Sequence, residues 1–188
     1  MKRVGILGDI GSGKSYVAKL FGYPVFNADQ EVSRLYKKNR NIYINLKKIL
    51  PKYIHRFPID KNEIIKAILG NKTNLKKVNK IVHSEIRKKL HNFINRNRNK
   101  KFVILDIPLL LENKINKKKD ILIFINANKK NIKKKLKKRK NFNQKLINKF
   151  KKIQISLAYK KKMSHFIIKN NFTNKSLKKD IKIILDKI

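Results

Sequence analysis

The sequence predicts an α/β fold: a parallel five-stranded sheet flanked by helices, with an inserted helical subdomain and a basic lid segment. Three observations point there. Five short apolar, β-prone runs recur along the chain, and none alternates cleanly between apolar and polar residues, as strands buried on both faces would read. Stretches with helical spacing fill the gaps between them, which is the signature of crossover-connected parallel strands. The second and third runs lie too far apart for a single crossover, so a helical insert is the economical explanation.

The first run is "RVGIL" at 3–7, followed by a glycine-rich turn and the helical "KSYVAKLF", which stops at Gly22 with Pro24 just beyond. "YPVF" at 23–26 is the second run. Residues 29–37 and 61–97 then carry apolar residues at helical spacing, among them Ile64, Ile68, Val78, Val82, Ile86 and Leu90. "FVIL" at 102–105, "DILIFI" at 120–125 and "HFIIK" at 165–169 complete the strand set. Residues 130–162 read as one or two very basic helices. "SLKKDIKIILDKI" closes the chain with Leu177, Ile181, Ile184 and Leu185 on one face. The expected organisation is one domain. Its core covers about 1–30, 101–128 and 163–188, with the insert at about 31–100 and the lid at about 129–162.

Composition narrows the function. The chain has 188 residues, no cysteine, and a formal net charge of +40. A disulfide framework, a thiol nucleophile and a thiolate metal site are excluded. The apolar stretch at the N-terminus is too short for a signal peptide and is broken by Gly and Asp, and "FVILDIPLLL" falls short of a membrane span. A cytoplasmic protein with no membrane partner is expected. The charge is spread over every segment as lysine, not gathered into one stripe. Loose polyanion binding at low salt therefore follows, but no specific nucleic-acid partner.

Gly8, Gly13, Lys14 and Ser15 fit G-x-x-x-x-G-K-[ST] between a strand and a helix. Glycines let the backbone wrap a phosphate, while successive N–H groups and the helix N-terminus stabilise its charge. Lys14 would reach the β- and γ-phosphates, and the Ser15 hydroxyl would hold Mg²⁺. Asp9 is the oddity, a carboxylate within a phosphate cradle, and its side chain is expected to face solvent.

Ligands of open parallel sheets gather at the carboxyl ends of the strands. Two of only 11 acidic residues fall at such ends: Asp29 closes "VFNAD" and Asp106 closes "FVILD". Asp29 is suited to orient, and secondarily to deprotonate, an acceptor hydroxyl, and Asp106 to hold water on Mg²⁺. The alternative for each is a helix N-cap or a loop carboxylate. Arg139, in a segment whose other basic residues are lysines, offers a planar bidentate donor for a transferring phosphoryl group, or is a stray of composition. Arg87 and His83, four apart on one helix face, are candidates for anion and substrate contact, against surface and structural readings.

These residues resemble the bacterial dephospho-CoA kinases, along nearly the whole chain. "GILGDIGSGKSYVAKLF" is similar to the family's opening, "PVFNAD" to its segment ending in Asp-Ala-Asp, and "IDKNEIIKAIL" to its Leu-Asp-Arg segment. "NKIVHSEIR" resembles its His-Pro-x-x-Arg helix, and "DIPLLLE" at 106–112 its most distinctive motif. Arg139 and Gln154 fit the spacing of the lid's Arg and Gln, and Asn170 the Asn after the last strand. The resemblance implies a P-loop kinase fold and transfer of the ATP γ-phosphate to the 3′-hydroxyl of the ribose of dephospho-CoA. It implies a catalytic set of Asp29, Lys14 and Arg139. ATP would be bound by Gly8, Ile10, Gly11, Ser12, Gly13, Lys14, Ser15, Tyr16 and Arg139. The acceptor, held by the insert, would meet Asp29, His83, Arg87, Asp106 and Glu112, with Mg²⁺ at Ser15 and Asp106. A monomer is expected.

The chain departs from the family pattern at several places. Leu7 stands for Thr, Asp9 for Gly, Asn27 for Asp, Lys61 for Arg and Ser84 for Pro. Ile132 stands for Gln, Lys135 for Arg and Ser164-His165 for Ala-Asp. A slow but real enzyme is the expectation. Another small-molecule P-loop kinase, or a degenerate polyanion-binding relative, is the alternative.

Overall fold

In the computed structural model, which describes residues 1–138 and 142–188, the chain divides into two compact units. One comprises Met1–Asn27 with Asn97–Ile188, the other Ala28–Arg96.

The first unit is built on β1 (Lys2–Gly8), β2 (Val25–Asn27), β3 (Phe102–Asp106), β4 (Ile121–Asn126) and β5 (Phe166–Lys169). All pairings are parallel, in the order β2-β3-β1-β4-β5. The five-stranded α/β fold agrees with the sequence. Every residue of β3 is buried, and so are the last five residues of β1, because helices and loops cover both faces. One face packs Val4, Ile6, Ile104 and Ile125 against Val17 of α1 (Lys14–Leu20) and Leu177 and Ile181 of α9 (Asn174–Lys187). Burial of each such side chain contributes about 1.5–3 kcal/mol before chain entropy is counted. Gly22, at φ 72°, ends α1 in the left-handed conformation that a helix C-terminus uses.

Among the described residues, the basic segment before β5 forms three helices, where one or two were expected. They are α6 (Lys129–Lys137), α7 (Gln144–Ile153) and α8 (Leu157–Lys162). Each begins on a side-chain cap: Asn128, Asn143 and Ser156 accept N–H bonds from Lys130, Leu146 and Tyr159. Such caps compete with a continuing helix and restart the chain direction.

The second unit is helical: α2 (Ala28–Lys38), α3 (Arg40–Ile49), α4 (Lys61–Gly70) and α5 (Asn74–Arg96). Val78, Val82, Ile86 and Leu90 recur every four residues and form the buried stripe of α5, which meets α2, α3 and α4. The helix α3 was not anticipated. Asn39 caps it through a bond from the Ile42 N–H at 3.0 Å, and Ile42 and Leu46 are buried. The helical pattern of 61–97 is interrupted by an Asx turn, in which Asn71 Oδ1 accepts the Thr73 N–H and hydroxyl. The first residue beyond it, Asn74, is buried and donates to the Ala67 carbonyl at 2.8 Å.

Candidate active site

The loop from Gly8 to Ser15 leaves the carboxyl end of β1 and enters α1. Three of its glycines have positive φ: Gly8 at 147°, Gly11 at 86° and Gly13 at 91°. Gly13 is required twice over. A Cβ there would lie 2.3 Å from Asn170 Nδ2, in a backbone conformation that side chains disfavour. A Cβ on Gly11 would meet Leu136 and Ile132, so α6 packs its apolar face directly on the loop. Whereas Asn39, Asp60, Asn128, Asn143 and Ser156 cap their helices with side chains, α1 starts at Gly13 with no side-chain cap.

Polar groups around the loop are arranged for an anion. The Lys14 ammonium lies over it, donating to the carbonyls of Asp9 at 2.7 Å and Gly8 at 3.1 Å. Ser12 is fully buried, and its Oγ has no hydrogen-bond partner among the described residues. Tyr16 is largely exposed and bonds the side chain of Asn174. Asp9, expected to face solvent, is half-buried. Its Oδ1 accepts the N–H of Ile10 at 2.7 Å, turning the carboxylate back on the loop's own backbone. A short acidic side chain captures the next N–H in this way, and the capture diffuses its charge.

Asn170, just beyond β5, buttresses the loop. Fully buried, it donates from Nδ2 to the Ser12 carbonyl and accepts the Phe172 N–H at Oδ1, both at 2.8 Å. Sequence reading marked Asn170 only as fitting a spacing. The signal in the sequence is an asparagine placed directly after the last strand.

At the neighbouring strand ends, Asn27 and Asp106 are paired in register between β2 and β3. Asp106 is 3% exposed, and Asn27 Nδ2 donates to its Oδ2 at 2.5 Å. The same nitrogen lies 3.5 Å from Ser15 Oγ. A hydroxyl and a carboxylate are oxygen donors of the kind Mg²⁺ takes, one carboxylate with nucleotide phosphates being enough. The donor set and the cradle thus fit a magnesium-bound phosphate chain. Among the described residues there is no cluster of three or more His, Asp or Glu that would suit a metal without such a chain.

The family model of dephospho-CoA kinase matches residues 2–176. The chain belongs to the dephospho-CoA kinase family. A Wolbachia pipientis dephospho-CoA kinase is 32% identical over 190 residues, covering 98% of this chain and 97% of the relative. The fold is shared with a solved Thermus thermophilus protein, with a TM-score of 0.81 at 24% identity over 100% and 97% of the two chains. A dephospho-CoA kinase from Campylobacter jejuni has a TM-score of 0.66 at 20% identity, over 99% and 96%.

Other residues expected at a dephospho-CoA kinase site are distributed as follows. Asp29 is exposed in the first turn of α2. His83 is half-buried and Arg87 exposed, one turn apart on α5. Burial, and secondarily the Arg87 charge, holds the His83 imidazole below its ordinary pKa. Glu112 is occupied elsewhere. Its Oε1 takes the ammonium of fully buried Lys160 at 2.7 Å and the Ile155 N–H at 3.1 Å, fastening the loop after β3 to the end of the basic segment. Arg139 lies outside the described residues.

Proposed function

We propose that this chain is a dephospho-CoA kinase, transferring the γ-phosphate of ATP to the 3′-hydroxyl of the ribose of dephospho-CoA. The observation that carries the reading is the coincidence of a phosphate cradle with a family match spanning nearly the whole chain. In phosphoryl transfer, positioning and charge stabilisation supply most of the acceleration, and each residue is assigned on that basis.

The backbone from Gly8 to Gly13, with Ile10, Gly11 and Ser12, holds the phosphates, and Tyr16 stands at the opening of the following helix. Lys14 exchanges its carbonyl partners for β- and γ-phosphate oxygens, an exchange of neutral acceptors for charged ones. Magnesium, when bound, would neutralise phosphate charge, and Ser15 and Asp106 are the residues that would hold it, Asp106 through water. Asp29 orients the acceptor hydroxyl and accepts its proton as the new oxygen–phosphorus bond forms and the bond from the γ-phosphorus to the bridging oxygen breaks, ADP leaving with that electron pair. Arg139 stabilises charge on the transferring group from the lid at about 129–162. The acceptor is held by the inserted helices at about 31–100, with His83 and Arg87 as polar contacts. Neutral His83 suits a hydrogen bond, and Arg87 suits an anionic group. Glu112 serves the acceptor side indirectly, by fixing the loop that follows Asp106.

No helix among the described residues is long and apolar enough to cross a membrane. A cytoplasmic monomer acting on small anionic substrates, with no specific nucleic acid and no membrane partner, is the setting we infer. The test is ADP release with Mg·ATP in the presence of dephospho-CoA, AMP, CMP or shikimate. Stimulation by dephospho-CoA alone, with CoA as product, is expected. Stimulation by another acceptor, or by none, would overturn the reading.

A further inference from the structure

Asn27 has no part in the assignments above, yet it touches both groups given to the metal. Its position is set by the sheet. Asn27 and Asp106 are Cα partners at the ends of adjacent parallel strands, so their side chains leave the same edge side by side. Its amide nitrogen donates to Asp106 Oδ2 at 2.5 Å and lies 3.5 Å from Ser15 Oγ. Asp106 is almost wholly buried, and a buried carboxylate needs a donor or a cation beside it.

An aspartate at position 27, the residue the family pattern carries, would bring a second carboxylate to that spot. Two anions at hydrogen-bond distance repel unless a cation lies between them. The amide has the same shape and no charge. It supplies the donor that Asp106 needs and leaves the metal side with one carboxylate instead of two.

We propose that Asn27 is a positioning residue that presets the metal side of this site without metal. Its amide holds the Asp106 carboxylate and the Ser15 hydroxyl in place, so that magnesium is taken up with the nucleotide phosphates and not as a free ion. The identity of the cation rests on the kinase reading above. The pairing itself does not.

The experiment compares thermal melts of nucleotide-free wild type, Asn27→Asp and the exchanged pair Asn27→Asp/Asp106→Asn. Each is run with and without millimolar MgCl₂, against NaCl of equal ionic strength. Wild type should melt at the same temperature in MgCl₂ and in NaCl of equal ionic strength. Asn27→Asp should melt lower by about 4 °C or more without magnesium, given the usual conversion for a chain of this size. It should recover most of that loss with MgCl₂ and not with NaCl. The exchanged pair restores one amide facing one carboxylate, so it should melt near wild type and ignore magnesium.

Asn27→Ala, assayed for turnover, should raise the KM for Mg·ATP about tenfold with a smaller change in kcat, since a lost positioning bond acts on binding first. Melting of Asn27→Asp that equals wild type, or that magnesium leaves unchanged, overturns the proposal. So does failure of the exchanged pair to regain stability should the single variant not fold. The melts contain no nucleotide and no acceptor, so they can fail while the acceptor assay succeeds, and the reverse.

Discussion

The cradle unit and the inserted helical unit solve different problems with different materials. Around the cradle, several buried polar groups are held by named partners. Asn170 carries the Ser12 carbonyl, Asn27 carries Asp106, and Lys160 carries Glu112. In the insert, apolar stripes do the packing, and the polar candidates stand half-buried or exposed on helix faces. The phosphate cradle is thus organised before any ligand arrives, whereas the polar candidates of the insert are carried on the faces of helices that pack through their apolar stripes. Preorganised donors lose little on binding, which is where electrostatic stabilisation is most effective.

The sharpest way to break this contrast is to remove one charge from each unit. Lys14→Ala should lower kcat/KM by about 10³-fold and weaken ATP binding, because it removes a charged donor from the phosphates. Asp29→Asn should cost about 10²–10⁴ in kcat while leaving the KM for ATP nearly unchanged, as loss of a proton acceptor does. Steady-state kinetics on both separates them. Near-wild-type kcat in Asp29→Asn would remove the acceptor role from Asp29.

A smaller effect is expected at Asn170→Ala, which strips the Ser12 carbonyl and the Phe172 N–H of their partners. The buried groups left unsatisfied should cost about 1–3 kcal/mol of stability by denaturant unfolding. ATP affinity measured by calorimetry should fall as well, since the loop loses its support. Unchanged affinity would mean that the loop keeps its shape without Asn170.

The smallest effect concerns the insert. His83 has a folded-state pKa below its unfolded value, so the unfolded chain binds the extra proton. Stability should then fall as pH drops through the ordinary histidine range and be fully retained above it. His83→Gln should flatten that slope. Melting temperatures followed from neutral to mildly acid pH give the answer, and an identical slope in the variant would discount the burial of His83.

Much of the first unit was legible because its signals are local. A strand buried on both faces announces itself as an apolar run, and a phosphate loop announces itself by glycines placed where the backbone must turn. The second unit was harder. In α3, "RNIYINLKKI" interleaves its apolar residues with asparagine and lysine, and the Asn39 cap and the burial of Ile42 and Leu46 together hold it as a helix. Likewise the lysine-rich stretch before β5 gave no hint of its two restarts until Asn143 and Ser156 were seen capping.

By itself the sequence determined the fold class, the cradle and the family, since periodicity, glycine placement and motif spacing are properties of neighbouring residues. Only the tertiary structure decided the partners: that Asn27 faces Asp106 across 79 positions of chain, Asn170 meets Ser12 across 158, and Lys160 neutralises Glu112. Strand register and helix packing bring those atoms together, and both arise from burying many weakly specific apolar contacts at once, which no single stretch of chain encodes.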